Sequence, residues 1–221
     1  MLNMDFSQRL TLPYDASRWQ PSPAAGVWRY PLEREQAESG HVTSLVRFEP
    51  HARFPEHQHP QGEEFWVLEG TFSDENGDYP AGSYVRHPPR SRHGSFSDEG
   101  CVLFVKLNQF AEGDTGLLHL RPGQDLWITG EHGYRRLPLH KHAGVSTSLL
   151  DFPAGGRFPP CCYKHGLEIL VLEGHLSEGP TRYPALSWLR FPPGTVPGLE
   201  ADNHTRLWVR TGHLQPVTRV E

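Results

Sequence analysis

Apolar residues in this chain fall in short runs, often alternating with polar ones, and Gly or Pro interrupts them about every ten residues. That spacing predicts strands at Val42–Phe48, Glu63–Leu68, Gly82–Arg86 and Val102–Leu107. It predicts a second set at Ser146–Phe152, Leu167–Leu172, Leu186–Arg190 and Arg206–Thr211. Long helices have no room, because helix breakers are spread from Pro13 to Pro216. No apolar run approaches the roughly eighteen residues a spanning helix needs. The start, MLNMDFSQRL, lacks the basic and apolar regions of a secretory signal. The expectation is an all-β protein of the cytoplasm.

The two sets of strands are one set written twice. Shifted by 104 residues, Thr43–Val105 aligns without a gap on Thr147–Val209, with 25 identities over 63 positions. Val67-Leu68-Glu69-Gly70 falls on Val171-Leu172-Glu173-Gly174, and Pro88-Pro89 on Pro192-Pro193. Before Thr43 the register becomes 107, which places three extra residues of the first copy near Glu35–Ser39. Two copies of this length suit two small domains better than a solenoid, which needs at least three short units. Residues 1–111 and 112–221 are therefore expected to form two tandem jelly-roll barrels, joined near Glu112–Gln124.

Composition sharpens this picture in three ways. The 22 Gly and 21 Pro are mostly the turn set of one barrel, repeated. Net charge is −5 and no window concentrates Lys or Arg, which argues against a nucleic-acid partner, as the hydropathy does against a membrane. Cys101, Cys161 and Cys162 are an odd number, two of them adjacent, which fits free thiols in a reducing compartment. Barrels of this kind also pair through sheet edges, so a homodimer fits the fold class.

Fourteen histidines suggest metal chemistry, but only one group has the right spacing. His57 and His59 alternate along a strand and share a face. Glu63 opens the next strand after Pro60-Gln61-Gly62, and His93 follows the Pro88-Pro89 turn on a strand that crosses the same mouth. Three imidazoles and a carboxylate make a donor set for one borderline divalent metal ion. His140-Lys141-His142 is a second His-x-His, yet no carboxylate follows at the interval, and it reads as solvated strand. Cys161-Cys162 with His165 lacks an orienting third group and reads as buried packing rather than a nucleophile. Cys101 also reads as packing. His119, His132, His175, His204 and His213 read as scattered surface residues.

The spacing His57-x-His59-x3-Glu63-x6-Gly70, followed by Gly82-x5-Pro88-x4-His93, resembles the two motifs of the cupin superfamily. Two turn positions depart from it: Arg90 and His51 stand where cupins usually carry glycine. Phe54-Pro55-x-His57-x-His59-x-x-Gly62-Glu63-Glu64-Phe65 through Asp74-Glu75 and Gly77-Asp78-Tyr79-Pro80 is similar to the cupin-like domain of ChrR-type anti-sigma factors. That resemblance implies a bicupin with zinc on His57, His59, Glu63 and His93. Iron, manganese or nickel are the other ions such a donor set holds. ChrR-type regulators grip their sigma factor with a separate helical zinc domain carrying His-x3-Cys-x2-Cys. No CxxC occurs here, so the expectation covers the cupin module and not anti-sigma activity.

The repeat acts as an internal control. Under the 104-residue shift His57 becomes Cys161, His59 Tyr163, Glu63 Leu167 and His93 Pro197, while Phe54/Phe158, Gly70/Gly174 and Pro88/Pro192 persist. The second barrel is expected to lack the metal. Glu64 persists as Glu168, on the opposite strand face from Glu63, and is expected to pair with Arg86/Arg190 or Arg53/Arg157. Phe65, Val67 and Phe104 are expected to face the pocket. Two functional readings lead, with a purely structural interaction module without turnover as a third. One is a metal-binding module that senses a small molecule or oxidative stress, or regulates transcription. The other is a metal-dependent cupin enzyme, a dioxygenase or isomerase, acting on a small organic substrate.

Overall fold

Strands of alternating Val, Leu, Phe and Tyr, stopped by Gly and Pro, account for nearly all regular structure in the computed structural model, which describes residues 1–36, 39–123, 126–130 and 133–214. Part of the expected insertion near Glu35–Ser39, and His132, lie outside the described residues. No helix of the described residues is long and apolar enough to cross a membrane. The chain divides into two units, Met1–Met4 with Ala16–Gln124 and Asp5–Asp15 with Asp125–Glu221.

In the first unit one sheet runs Leu118–Leu120, Tyr84–His87, Glu63–Asp74, Cys101–Leu107, Val42–Phe48, Val27–Arg34 and Gln20–Pro21, all antiparallel. Ala52–His59 pairs with Ser91–Ser97 and faces it, and the far half of the long strand Glu63–Asp74 bends across to Gly77–Pro80 and Ser91–Ser97. The result is a jelly-roll barrel. Its interior holds Phe48, Phe65, Val67, Phe72, Val85, Leu103 and Val105. Phe104 does not join them: it lies opposite Leu45 and Trp66, the parity opposite to Phe65 and Val67. The pocket-facing positions of that strand are Leu103 and Val105.

The second unit repeats the scheme. Its sheet runs Leu10–Leu12, Trp188–Phe191, Leu167–Glu173, Thr205–Thr211, Val145–Phe152, Arg135–His142 and Ile128–Thr129, with Thr181–Pro184, His175–Glu178 and Glu200–Ala201 as the smaller sheet. Its core contains Leu167, Phe191 and Leu199 where the first barrel has Glu63, His87 and Ser95. Burying Leu or Phe stabilises by about 1.5–3 kcal/mol each. The first barrel forgoes that packing at its donor positions, whereas the second takes it.

Glycine geometry explains what both copies share. A Cβ on Gly70 would sit 2.0 Å from the Gly100 carbonyl oxygen, and one on Gly174 would sit 2.3 Å from that of His204. No side chain fits either place. At three other turns one copy carries glycine and the other a side chain, with the left-handed backbone kept: His51 (φ +65°) against Gly155 (+74°), Arg90 (+73°) against Gly194 (+85°), and Leu186 (+67°) against Gly82 (+87°). Strand pairing therefore holds these turns left-handed even where the residue disfavours it.

The expected partner of Glu64 is found. Glu64 is buried and accepts from Arg86 Nε at 3.1 Å. Arg86 grips Asp114 with its other nitrogens at 2.8 and 3.2 Å, under the Phe110 ring. Glu168 lies opposite Arg190 in the strand register and accepts the Trp188 indole N–H at 2.8 Å. Arg53 and Arg157 instead approach Asp98 and Glu200 at the surface.

Candidate metal centre

His57 and His93 are directly opposed in the pairing of Ala52–His59 with Ser91–Ser97, and Glu63 begins the adjoining strand. The turn Pro60-Gln61-Gly62, closed by Gly62 N–H on the His59 carbonyl, returns the chain so that Glu63 comes alongside His59. His59 Nε2 lies 2.9 Å from His93 Nε2. Glu63 Oε2 lies 3.4 Å from the first and 3.3 Å from the second. His57 stands at the rim, its ring centroid 4.6 Å from that of His59 and 5.1 Å from that of His93. The structure thus brings together all four residues singled out by the motif spacing.

Donors held about 2.1 Å from one ion at angles between 90° and tetrahedral lie about 3.0–3.4 Å apart. The observed separations match that spacing. Two further contacts fix which nitrogen faces inward. His57 Nδ1–H donates to the Pro55 carbonyl at 2.8 Å, and His93 Nδ1–H donates to Asp74 Oδ2 at 3.1 Å. Both rings therefore keep a bare Nε2. Asp74 is itself held by the Asn76 N–H and the Tyr79 hydroxyl on Oδ1, at 2.7 and 3.0 Å. Two overlapping groups of potential donors result, His57/His59/His93 and Glu63/His87/His93.

Charge balance follows from these contacts. Burial would raise the Glu63 carboxyl, but His59, His87 and His93 around it outweigh that and hold it well below the ordinary carboxylate range. Burial lowers His59, helped by the neighbouring imidazoles and opposed by Glu63. Burial also works against a charged His93, yet Asp74 and Glu63 raise it overall. The centre is an anionic carboxylate facing the imidazoles of His57, His59 and His93, whose inner nitrogens have, among the described residues, no hydrogen-bond or ion-pair partners other than each other and Glu63. That is the donor chemistry of a divalent cation.

Two residues join the centre that the motif spacing does not supply. His87 Nδ1 lies 3.4 Å from Glu63 Oε2, and its buried Nε2, 3.8 Å from Asp74 Oδ2, has no hydrogen-bond partner among the described residues. The sequence does hold a signal for it, since His87 becomes Phe191 in the second copy. Asp74 carries no such signal, because its counterpart Glu178 is also acidic. Glu178 instead pairs with Arg9. His119 is exposed, as expected, but its ring stands edge-on to Tyr79 at 5.1 Å.

In the second barrel three of the four donor positions, Tyr163, Leu167 and Pro197, are taken up by packing. Tyr163 and Tyr134 pack against the core, and Tyr134, Phe152 and Phe158 form a run of rings with centroids 5.2 and 6.0 Å apart. The strand pair that carries His57 and His93 is reduced to isolated bridges at Arg157–Glu200 and Tyr163–Thr195. Among the described residues, His140 and His142 join no group of potential metal donors. Cys161 and Cys162 are exposed, not buried as expected, since the loosened pairing leaves them at the rim.

The metal-side cavity is small, about 90 Å³, lined by His57, His59, Glu63 and His93 against Phe54, Phe72 and Leu103. A water molecule's share of liquid volume is about 30 Å³, so the space suits a few small molecules or one compact ligand.

A family model described as the ChrR cupin-like domain matches residues 7–111 and again 117–215. No curated protein matches the sequence. Among solved structures, a protein proposed to be a dioxygenase from Nostoc punctiforme superposes with a TM-score of 0.73 at 18% identity, covering 97% of this chain and 91% of that one. The bacterial pirin of Escherichia coli, solved in complex with nickel(II), gives 0.71 at 14% identity over 95% and 100%. An oxalate decarboxylase of Lactobacillus farciminis, solved as a formate complex, gives 0.65 at 14% identity over 92% and 86%. At these identities the likeness is one of fold.

Proposed function

This chain belongs to the ChrR cupin-like domain family, as a tandem pair of cupin barrels, and from that premise we propose that its first barrel is a divalent-metal centre in a small-molecule-sensing module. The observation that carries the reading is the convergence of His59 Nε2, His93 Nε2 and Glu63 Oε2 at 2.9–3.4 Å, with His57 at the rim and Asp74 orienting His93. His57, His59, Glu63 and His93 would hold the ion. Bound there, it would supply a Lewis-acidic coordination site for a ligand entering the cavity. The protein's own part is to keep Nε2 of His57 and His93 unprotonated through Pro55 and Asp74, and to keep Glu63 ionised. Phe54, Phe72 and Leu103 would limit the ligand to a compact one. Zinc with all four protein donors fits a regulatory site.

The cavity beside the donors supports a second reading, a metal-dependent cupin enzyme with iron or manganese, in which the same space admits substrate. Three free thiols support residence in a reducing compartment such as the cytoplasm.

Metal analysis of protein purified without supplementation tests the assignment. One ion per chain is expected, lost in His59→Ala and kept in Cys161→Ala. Metal content unchanged in His59→Ala refutes the site. Tetrahedral zinc supports sensing, whereas iron or manganese with two exchangeable waters supports turnover.

A further inference from the structure

The mouth of the second barrel holds a cavity of about 400 Å³, whose polar wall is formed by Arg136, Lys141, Ser146, Ser148, Cys161 and Tyr163. It occupies the place of the metal centre in the first barrel, since Cys161 and Tyr163 align with His57 and His59. Its chemistry is different: the metal donors are gone, while Arg136 and Lys141 keep the places that Arg29 and Arg34 hold in the first copy.

A break in strand register brings those cations together. Arg135–His142 pairs with Val145–Phe152 as Arg136 opposite Leu150 and Pro138 opposite Ser148, and then, after a shift, as Lys141 opposite Ser146. In an unbroken strand, residues five apart point to opposite faces. The extra residue reverses the parity, so that Lys141 lines the same cavity as Arg136.

Arg136 is half-buried and, among the described residues, its guanidinium is held by neutral groups. Nε donates to Ser148 Oγ at 3.0 Å, and a terminal nitrogen to Ser146 Oγ at 3.1 Å. Among the described residues neither Arg136 nor Lys141 has a carboxylate partner. The adjacent Arg135 shows the contrast: it faces the other way and is paired with Asp151. Two hydroxyls orient the Arg136 fork without neutralising it, which leaves a positioned cationic charge at the edge of a cavity.

Size and lining indicate what would neutralise it. The volume falls in the range of small-molecule pockets, about 300–1,000 Å³, and exceeds what an inorganic oxyanion fills. Leu150 and Val209 make the deeper wall apolar. We propose that the mouth of the second barrel binds a small organic carboxylate, its anionic end on Arg136 and Lys141 and its apolar body on Leu150 and Val209. Cys161 stands at the rim of this site.

Cys161 also provides the test, because Cys162 is an exposed thiol one residue away that does not line the cavity. The full chain, as the single-cysteine-loss variants Cys162→Ser and Cys161→Ser, is treated at neutral pH with iodoacetate or with uncharged iodoacetamide, and alkylation rates are read by mass spectrometry. A cationic cleft enriches anions by about tenfold or more. The iodoacetate-to-iodoacetamide rate ratio at Cys161 should exceed that at Cys162 by about that factor. Adding Arg136→Gln and Lys141→Gln should bring it down to the Cys162 value. Millimolar benzoate should protect Cys161 from iodoacetamide and leave Cys162 untouched, and benzamide should protect neither. Equal ratios at the two cysteines overturn the proposal, as does a ratio that survives the double substitution. Protection by inorganic phosphate equal to that by benzoate overturns the assignment to an organic carboxylate.

Discussion

Replacing Asp74 by Asn changes a single atom type beside the metal centre, and the hydrogen bonds dictate its effect. Asp74 Oδ1 already accepts from the Asn76 N–H at 2.7 Å and the Tyr79 hydroxyl at 3.0 Å. Only the amide oxygen of an asparagine tolerates those two donors, so its NH2 must take the place of Oδ2, 3.1 Å from His93 Nδ1. Two donors then face each other. His93 relieves the clash by moving its proton to Nε2, the atom that lies 2.9 Å from His59 Nε2 and 3.3 Å from Glu63 Oε2. The lone pair that would bind the ion is lost unless the ring reverts to the clashing tautomer. Losing such an orienting partner weakens metal affinity by about 10–100-fold, or about 1.4–2.8 kcal/mol. Competition titrations of zinc and nickel against a chromophoric chelator measure this directly. Asn keeps both Oδ1 contacts, so melting of the metal-free protein should barely change and serves as the control for folding. Affinity within twofold of the parent, with binding abolished in His93→Ala, would refute the tautomer argument.

Three other perturbations test the frame around the centre. Arg90→Gly, at an exposed turn whose counterpart is Gly194, should stabilise the protein by about 0.5–1 kcal/mol, the left-handed strain of about 1–2 kcal/mol relieved less the backbone entropy of glycine; an unchanged or lower midpoint in urea contradicts the strain reading. Arg86→Met leaves Glu64 and Asp114 buried without their shared cation and should cost about 3–5 kcal/mol; a loss under 1 kcal/mol would show that solvent already reaches the pair. Burial pushes the Cys101 thiol up from 9.0 to about 11. The unfolded chain therefore releases this proton first as pH rises. Stability is full below pH 9 and falls by about 2–3 kcal/mol towards pH 11. Cys101→Ala should flatten that decline in urea titrations, and an identical decline in the variant would place its cause elsewhere.

The four motif residues were legible because the chain carries its own control. Where the frame of the barrel persists and the donors do not, as at His57/Cys161 and Glu63/Leu167, the difference between the copies isolates what a metal would need from what the fold needs. The same comparison reaches His87, whose counterpart Phe191 completes the second core, although no motif spacing points to it. It cannot reach Asp74. An acid stands at that position in both copies, and whether it turns inward to His93 or outward to Arg9 depends on partners far apart in the chain. Phe104 shows a second limit, since the parity of a strand is set by the residues it pairs with, here Leu45 and Trp66, and not by alternation counted from its end. Lys141 shows a third. Residue type made it part of a solvated His-Lys-His run, and one shifted register turned it onto the same cavity as Arg136. In both barrels, then, the chemistry of the mouth is decided at irregularities in the pairing: the bridges that remain near Cys161 and Tyr163 open the second mouth, while the full pair at His57 and His93 closes the first around its donors.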